Sequence, residues 1–223
     1  MKFSRIFAAA AAMTVMVSAV SCNKKEDTEE KSNIRYYYST EAPTEAPTAP
    51  PVVSTEPVEA AADGPRLSIN NVTAKAGEVA KITISIENAE KAYSMCGYHI
   101  TYPDILVPEM IDEEKRFVKK EMGDASEYNA GSVAMEWRDN KTAYLVENKL
   151  GSIFFTEVFD GDYGYNGDVV SFFLKVPEDA ESGTVYPVDF MYIEGDIFQN
   201  MAKDAAMEKY VFENWKGGSI TVE

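Results

Sequence analysis

The sequence is poor in the residues that most site chemistry requires. One histidine, His99, and two cysteines, Cys22 and Cys96, occur among 223 residues. A two-histidine metal site and a cysteine-ligated cluster are therefore excluded, and no phosphate-cradling glycine loop or nucleophile-elbow pattern is present. Cations are scarce as well, with 21 Lys or Arg against 37 Asp or Glu and a formal net charge of −16. Nucleic acid and anionic membrane surfaces would be repelled by such a chain, whereas a basic protein surface would not. The longest apolar run is too short to read as a membrane span. Asp160, Asp162 and Asp168 do not have the spacing of a twelve-residue calcium loop and read as a solvated turn. Carboxylates are plentiful enough for paired-acid hydrolysis, but number is not placement. We expect no enzyme activity, and no metal or cofactor on this chain. The two cysteines lie in contexts too different to suggest a bridge. Cys96 reads as a small core residue.

What is present divides the chain in three. Residues 1–21 have the parts of an export signal: Lys2 and Arg5 at the start, an apolar run from Ile6 to Val20, and small residues before Cys22. Ala19-Val20-Ser21-Cys22 resembles a bacterial lipobox, with alanine where leucine is usual, so Cys22 is the expected lipidated residue of a lipoprotein. Acylation by two or more chains would anchor it stably to the membrane. Residues 22–65 are low in aliphatics and contain EAPTEAPTAPP, from which no core can form. They read as a disordered, extended Pro/Thr/Glu-rich tether, in which Arg35-Tyr36-Tyr37-Tyr38 stands out as sticky.

Residues 66–223 carry 28 Asp or Glu against 15 Lys or Arg and 21 of the 26 aromatics, enough to bury a sizeable core. The pattern is short strands of period two. Leu67, Ile69 and Val72 suggest the first, and Ala80, Ile82, Ile84 and Ile86 a second. The stretch from Met95 to Tyr102 reads as a central strand with Cys96, Tyr98, Ile100 and Tyr102 on one side and Met95, Gly97, His99 and Thr101 on the other. The second set carries no formal charge, unusual for so acidic a protein, and looks covered by something. Pro103 ends the strand. Residues 112–124 form a charged, exposed excursion. Strands follow at 133–137, 153–158, 169–176, 186–193 and 219–222, with one helical stretch at 201–212. This is an all-β, antiparallel β-sandwich with one short helix near the C-terminus.

Several segments, in order, resemble a known family. Thr73-Ala-Lys-Ala-Gly-Glu-Val, Gly97-Tyr-His-Ile-Thr-Tyr-Pro-Asp, Gly167 to Pro177, Gly183-Thr-Val-Tyr-Pro-Val-Asp-Phe and Gly217 to Val222 are similar to the first turn and the third, sixth, eighth and last strands of cohesin modules of cellulosomal scaffoldins. The Gly-Tyr-His-Ile element and the helical insertion look most like the divergent type III cohesins of the cell surface. The resemblance implies a nine-stranded jelly roll whose sheet of strands eight, three, six and five binds a dockerin. On this chain the implied dockerin-binding residues are Met95, His99 and Thr101 on strand three, Val169, Ser171 and Phe173 on strand six, and Asp189 and Met191 on strand eight. Phe154 and Thr156 are the choices for strand five, where the register is ambiguous.

The implied function is a monomeric, non-catalytic scaffold at the extracellular face of the membrane, attaching a dockerin-bearing enzyme or scaffoldin in polysaccharide degradation. Calcium is expected on the dockerin. The alternative is a carbohydrate-binding β-sandwich lipoprotein stacking sugar rings on Trp137 and exposed tyrosines.

Overall fold

A computed structural model describes residues 61–127, 132–138 and 142–223. The export signal, Cys22 and the tether up to residue 60 lie outside the described residues. The tether's last residues are already packed: Gly64 and Pro65 are buried, and the Ala61 N–H donates to the Ala206 carbonyl at 3.1 Å.

The strands in chain order are β1 (Arg66–Ile69), β2 (Asn71–Ala74), β3 (Val79–Glu87), β4 (Met95–Pro103), β5 (Val107–Pro108), β6 (Met110–Asp112), β7 (Phe117–Val118), β8 (Lys120–Met122), β9 (Ser132–Arg138), β10 (Leu150–Val158), β11 (Gly167–Lys175), β12 (Val185–Met191), β13 (Ile197–Gln199) and β14 (Gly218–Val222). Nine of these have four or more residues, matching the expected strand number. The helices are α1 (Asp124–Glu127), α2 (Ala143–Glu147) and α3 (Ala205–Asn214). Only α3 was legible as a helix, displaced by a few residues because Asp204 caps its start, accepting from the Ala206 and Met207 N–H groups. The 112–124 excursion is not merely exposed loop. It supplies β7 and β8, and Val118 is fully buried.

Two sheets face each other. One runs β1-β3-β11-β5, with β8 also pairing β11, and the other runs β2-β14-β12-β4-β10-β9-β7-β6, with β13 also pairing β4. The expected single first strand is broken between β1 and β2 at Asn70, whose side-chain Oδ1 accepts from the Thr83 N–H at 2.9 Å. The break lets one stretch serve both sheets: β1 is antiparallel to β3, and β2 is parallel to β14. Gly218 makes room for it, since a Cβ there would lie 2.1 Å from the Asn70 carbonyl oxygen.

Period-two alternation fills the space between the sheets. Ile82, Ile84 and Ile86 of β3 and Val170, Phe172 and Leu174 of β11 meet Tyr98 and Ile100 of β4 and Ile153 and Phe155 of β10. Each such side chain contributes roughly 1.5–3 kcal/mol by leaving water. Tyr98 packs its ring on Phe155 at 5.4 Å and edge-on to Phe190 at 5.6 Å. Cys96 is in this core, and burial pushes its thiol well above the ordinary value.

The position of β11 corrects one expectation. Val169, Ser171 and Phe173 were placed with Met95, His99 and Thr101 on one sheet, but β11 pairs β3, β5 and β8 in the opposite sheet. Its two edges are taken by those strands, and β4 is flanked by β10, β12 and β13 instead. A register shift between Asp168 and Val170 buries Val169 as well as Val170. Ser171 bonds the Thr83 hydroxyl at 2.9 Å, and Phe173 lies under the Lys119 ammonium at 4.6 Å.

One core position is ionisable. Glu157, fully buried on the inward side of β10, accepts from the Tyr93 hydroxyl at 3.4 Å, and desolvation pushes its carboxyl from 4.5 up to about 7. The folded chain therefore holds this proton more tightly than the unfolded chain. The resulting stability is full below pH 4.5 and is lost as pH rises through about 7. Glu157→Gln should remove that part of the pH dependence and raise stability at pH 8 by at most about 3 kcal/mol relative to the unchanged chain. Urea unfolding of both proteins across this pH range checks it; parallel curves would contradict it.

Candidate functional site

The outer face of the longer sheet is built by register. Across β4 and β10, Thr101 stands opposite Ser152, His99 opposite Phe154, Gly97 opposite Thr156 and Met95 opposite Val158. On the far edge of β10, Arg138, Glu136, Ala134 and Ser132 of β9 continue the same rows. On the other edge of β4, Asp189 and Met191 of β12 pair Thr101 and His99, and Ile197 and Gln199 of β13 pair Gly97 and Met95. The structure thus brings together Met95, His99, Thr101, Phe154, Thr156, Asp189 and Met191. The strand register left ambiguous from sequence is settled: Phe154 and Thr156 do face outward, on the strand beside β4.

Phe154 is the centre of this face. Its ring lies 4.8 Å from the His99 ring, and the Arg138 guanidinium sits 5.1 Å from its centroid. Arg138 in turn contacts the Glu136 carboxylate at 3.1 Å. Gly97 allows the ring to lie across β4, because a Cβ there would be 3.1 Å from Phe154 Cζ. Glu136 and Arg138 were not anticipated as part of the face. The signal was the alternation of Val133, Met135 and Trp137 with Ala134 and Glu136 along β9.

Part of the face is closed from within the chain. His99, Thr101, Ser152 and Met191 are buried, and the Thr101 hydroxyl donates to the Asp189 carbonyl at 3.3 Å. The turn between β12 and β13 brings Asp196 against His99. The imidazole Nδ1–H donates to the carboxylate, 2.9 Å from Oδ1 and 3.1 Å from Oδ2, and Oδ2 also accepts from the Ile193 N–H at 3.0 Å. Burial raises the Asp196 carboxyl, opposed by these hydrogen bonds. Met95, Phe154, Thr156, Val158 and Ile197 stay partly open, and Asp189 is exposed.

Other candidate residues serve locally. Asp162 caps the Met201 N–H at 2.8 Å, and Asp168 accepts from the Ser85 hydroxyl at 2.6 Å. Trp137 points inward and carries the Arg116 guanidinium 5.4 Å from its ring centroid, so it offers no open platform for a sugar on that side.

No family profile and no curated protein matches the sequence. Solved structures do. A type III cohesin module from the cellulosomal ScaE cell-surface anchoring scaffoldin of Ruminococcus flavefaciens is 26% identical, over 72% of this chain and 88% of that one, with a TM-score of 0.58. The chain has the cohesin fold. The cohesin of the Coh-OlpA-Doc918 type I cohesin–dockerin complex from Clostridium thermocellum superimposes over 72% of this chain and all of its own, at 14% identity and a TM-score of 0.52. The sixth cohesin of Acetivibrio cellulolyticus scaffoldin B, solved with a Cel5 dockerin mutant, covers the same shares at 13% and 0.51. The stretches that resemble cohesin strands eight and three, β12 and β4, are neighbours in this sheet, whereas the stretch that resembles strand six, β11, is in the opposite one.

The His99 and Asp196 pair should hold the β12 to β13 turn against the sheet. Asp196→Ala would leave His99 Nδ1 and the Ile193 N–H without their acceptor and cost about 1–3 kcal/mol. Calorimetric unfolding should show a lower Tm; an unaltered Tm would mean the turn is held by its other contacts.

Proposed function

We propose that this chain is a non-catalytic anchoring protein whose single cohesin module captures a dockerin-bearing enzyme or scaffoldin on the outer face of β12, β4, β10 and β9. The observation that carries this reading is the half-open, largely uncharged strip of Met95, Phe154 and Thr156 lying across the central strands. It stands on the sheet that the cohesin resemblance assigns to the dockerin. An aromatic anchor held rigidly at the middle of such a patch is the kind of residue that dominates interface energy. Glu136, Arg138 and Asp189 at the margins would select the partner's orientation by charge rather than add much affinity. Calcium belongs to the dockerin in this scheme.

The attachment route follows from the sequence. Cys22, acylated after removal of residues 1–21, would hold the module to the outside of the cell membrane, with the tether as spacer. No helix among the described residues is long and apolar enough to cross a membrane.

The deciding experiment is calorimetric titration of the chain with a panel of dockerins, with and without calcium. Tight, calcium-dependent binding of one class is expected. Absence of binding across the panel together with retention on polysaccharide would favour the carbohydrate-binding alternative. Phe154→Ala, which removes the anchor ring, should weaken capture by about 30-fold or more. Phe173→Ala, on the opposite sheet, should leave it unchanged, and the reverse pattern would move the site to β11.

Lipid attachment has its own test. Cys22→Ser should shift the protein from the membrane fraction to the soluble fraction of cells. Continued sedimentation with membranes would rule out Cys22 as the anchor.

A further inference from the structure

The outer face does not stop at β9. Residues directly opposite one another in an antiparallel pair share a side of the sheet. Met191, His99, Phe154 and Glu136 make such a row across β12, β4, β10 and β9, and Phe117 of β7 continues it as the partner of Glu136. A bulge between Met110 and Asp112 then sets two residues, Ile111 and Asp112, against the one Phe117. Exposure rises along the row. His99 and Met191 are buried, Phe154 and Glu136 are half-buried, Phe117 is 38% exposed and Ile111 66%. The apolar side chains that face water thus lie beyond β9, away from the turn that closes the β12 side.

The hairpin of β6 and β7 that carries them is held in place. Val118 is fully buried, which commits its neighbour Phe117 to the outside by alternation. The Trp137 N–H donates to the Arg116 carbonyl at 2.9 Å, the Arg116 guanidinium lies over the Trp137 ring, and the Lys119 N–H donates to the Glu109 carbonyl at 2.8 Å. An ordered side chain loses little freedom on association. The charges along the row are already matched, Glu136 with Arg138 and Asp112 with Lys115, each at 3.1 Å. What is left unmatched is apolar area, and large apolar side chains held in water beside a binding face mark a surface that is covered in use.

Size points the same way. A standard interface covers ~800 Å² of each partner, roughly 30 Å across. At about 4.8 Å between strands, β4, β10 and β9 offer a strip of about 14 Å, and β7 and β6 widen it to about 24 Å. We propose that the hairpin of β6 and β7 is part of the docking surface, with Phe117 as a second aromatic anchor that selects dockerins presenting two apolar side chains rather than one. The proposal rests on the dockerin reading above and extends it. Phe154 and Phe117 stand two strand intervals apart, about 10 Å at the backbone, and the Phe154 ring reaches further back over Gly97 of β4. The partner's two apolar groups are therefore roughly 10–15 Å apart, with a polar group between them over the Glu136 and Arg138 pair.

Calorimetric titration of the full chain with the calcium-loaded dockerin that binds most tightly in the panel tests it. Phe117→Ala should weaken binding about tenfold and Ile111→Ala about threefold. Phe117→Leu, which keeps a large apolar side chain, should restore most of the affinity, separating a lost contact from a damaged hairpin. Hydrogen exchange needs no variant: amides of residues 110–118 should exchange more slowly in the complex than in the free chain. Full affinity in both alanine variants, while Phe154→Ala still loses binding, would overturn the proposal and leave the dockerin reading standing. No dockerin binding to the unchanged chain would overturn both. Self-association that Phe117→Ala dissolves, with dockerin binding unaltered, would overturn it too and assign the row to a second copy.

Discussion

The constraint on which the rest depends is the double pairing of β4. Its nine residues are matched to β10 along their whole length on one edge, and to β12 and β13 on the other. A strand bonded on both edges cannot slip by one residue without inverting every side chain. The same register therefore fixes two surfaces at once. Cys96, Tyr98, Ile100 and Tyr102 are committed to the core, and Met95, Gly97, His99 and Thr101 to the outer face. Core packing thus positions the face chemically: a substitution that disturbed Tyr98 or Phe155 would also shift Phe154.

The long strands were legible because alternation is a local property. Ile82, Ile84 and Ile86 on β3, or Cys96 to Tyr102 on β4, state their inward side without reference to any other part of the chain. Sheet membership is not local. The run Val169 to Leu174 is largely apolar on both sides because a bulge buries Val169 beside Val170 and the Lys119 ammonium lies over Phe173, and nothing within it names its neighbour. That is why Val169, Ser171 and Phe173 were assigned to the wrong sheet. Phe154 and Thr156 do share the outer face with Met95, His99 and Thr101, because β10 pairs β4 directly.

Other features lay beyond sequence reading for physical reasons of their own. Helices α1 and α2 have four and five residues, too short to form without the surrounding packing. Strand β13, three residues long, exists because β4 has an unfilled edge beyond β12. The His99 and Asp196 pair joins residues 97 positions apart, and the sequence around either gives no hint of the other. His99 was expected to face a partner. Its ring nitrogen instead faces a carboxylate of its own chain.

The packing of Ala61 to Pro65 beside α3 has a consequence for how a held partner would be presented. Those residues close against the helix at the end of the sandwich where β1 begins, whereas the outer face of β12, β4, β10 and β9 looks out at right angles to the strands. A partner seated on that face would leave the α3 end uncovered, so the two surfaces could be occupied at once without colliding.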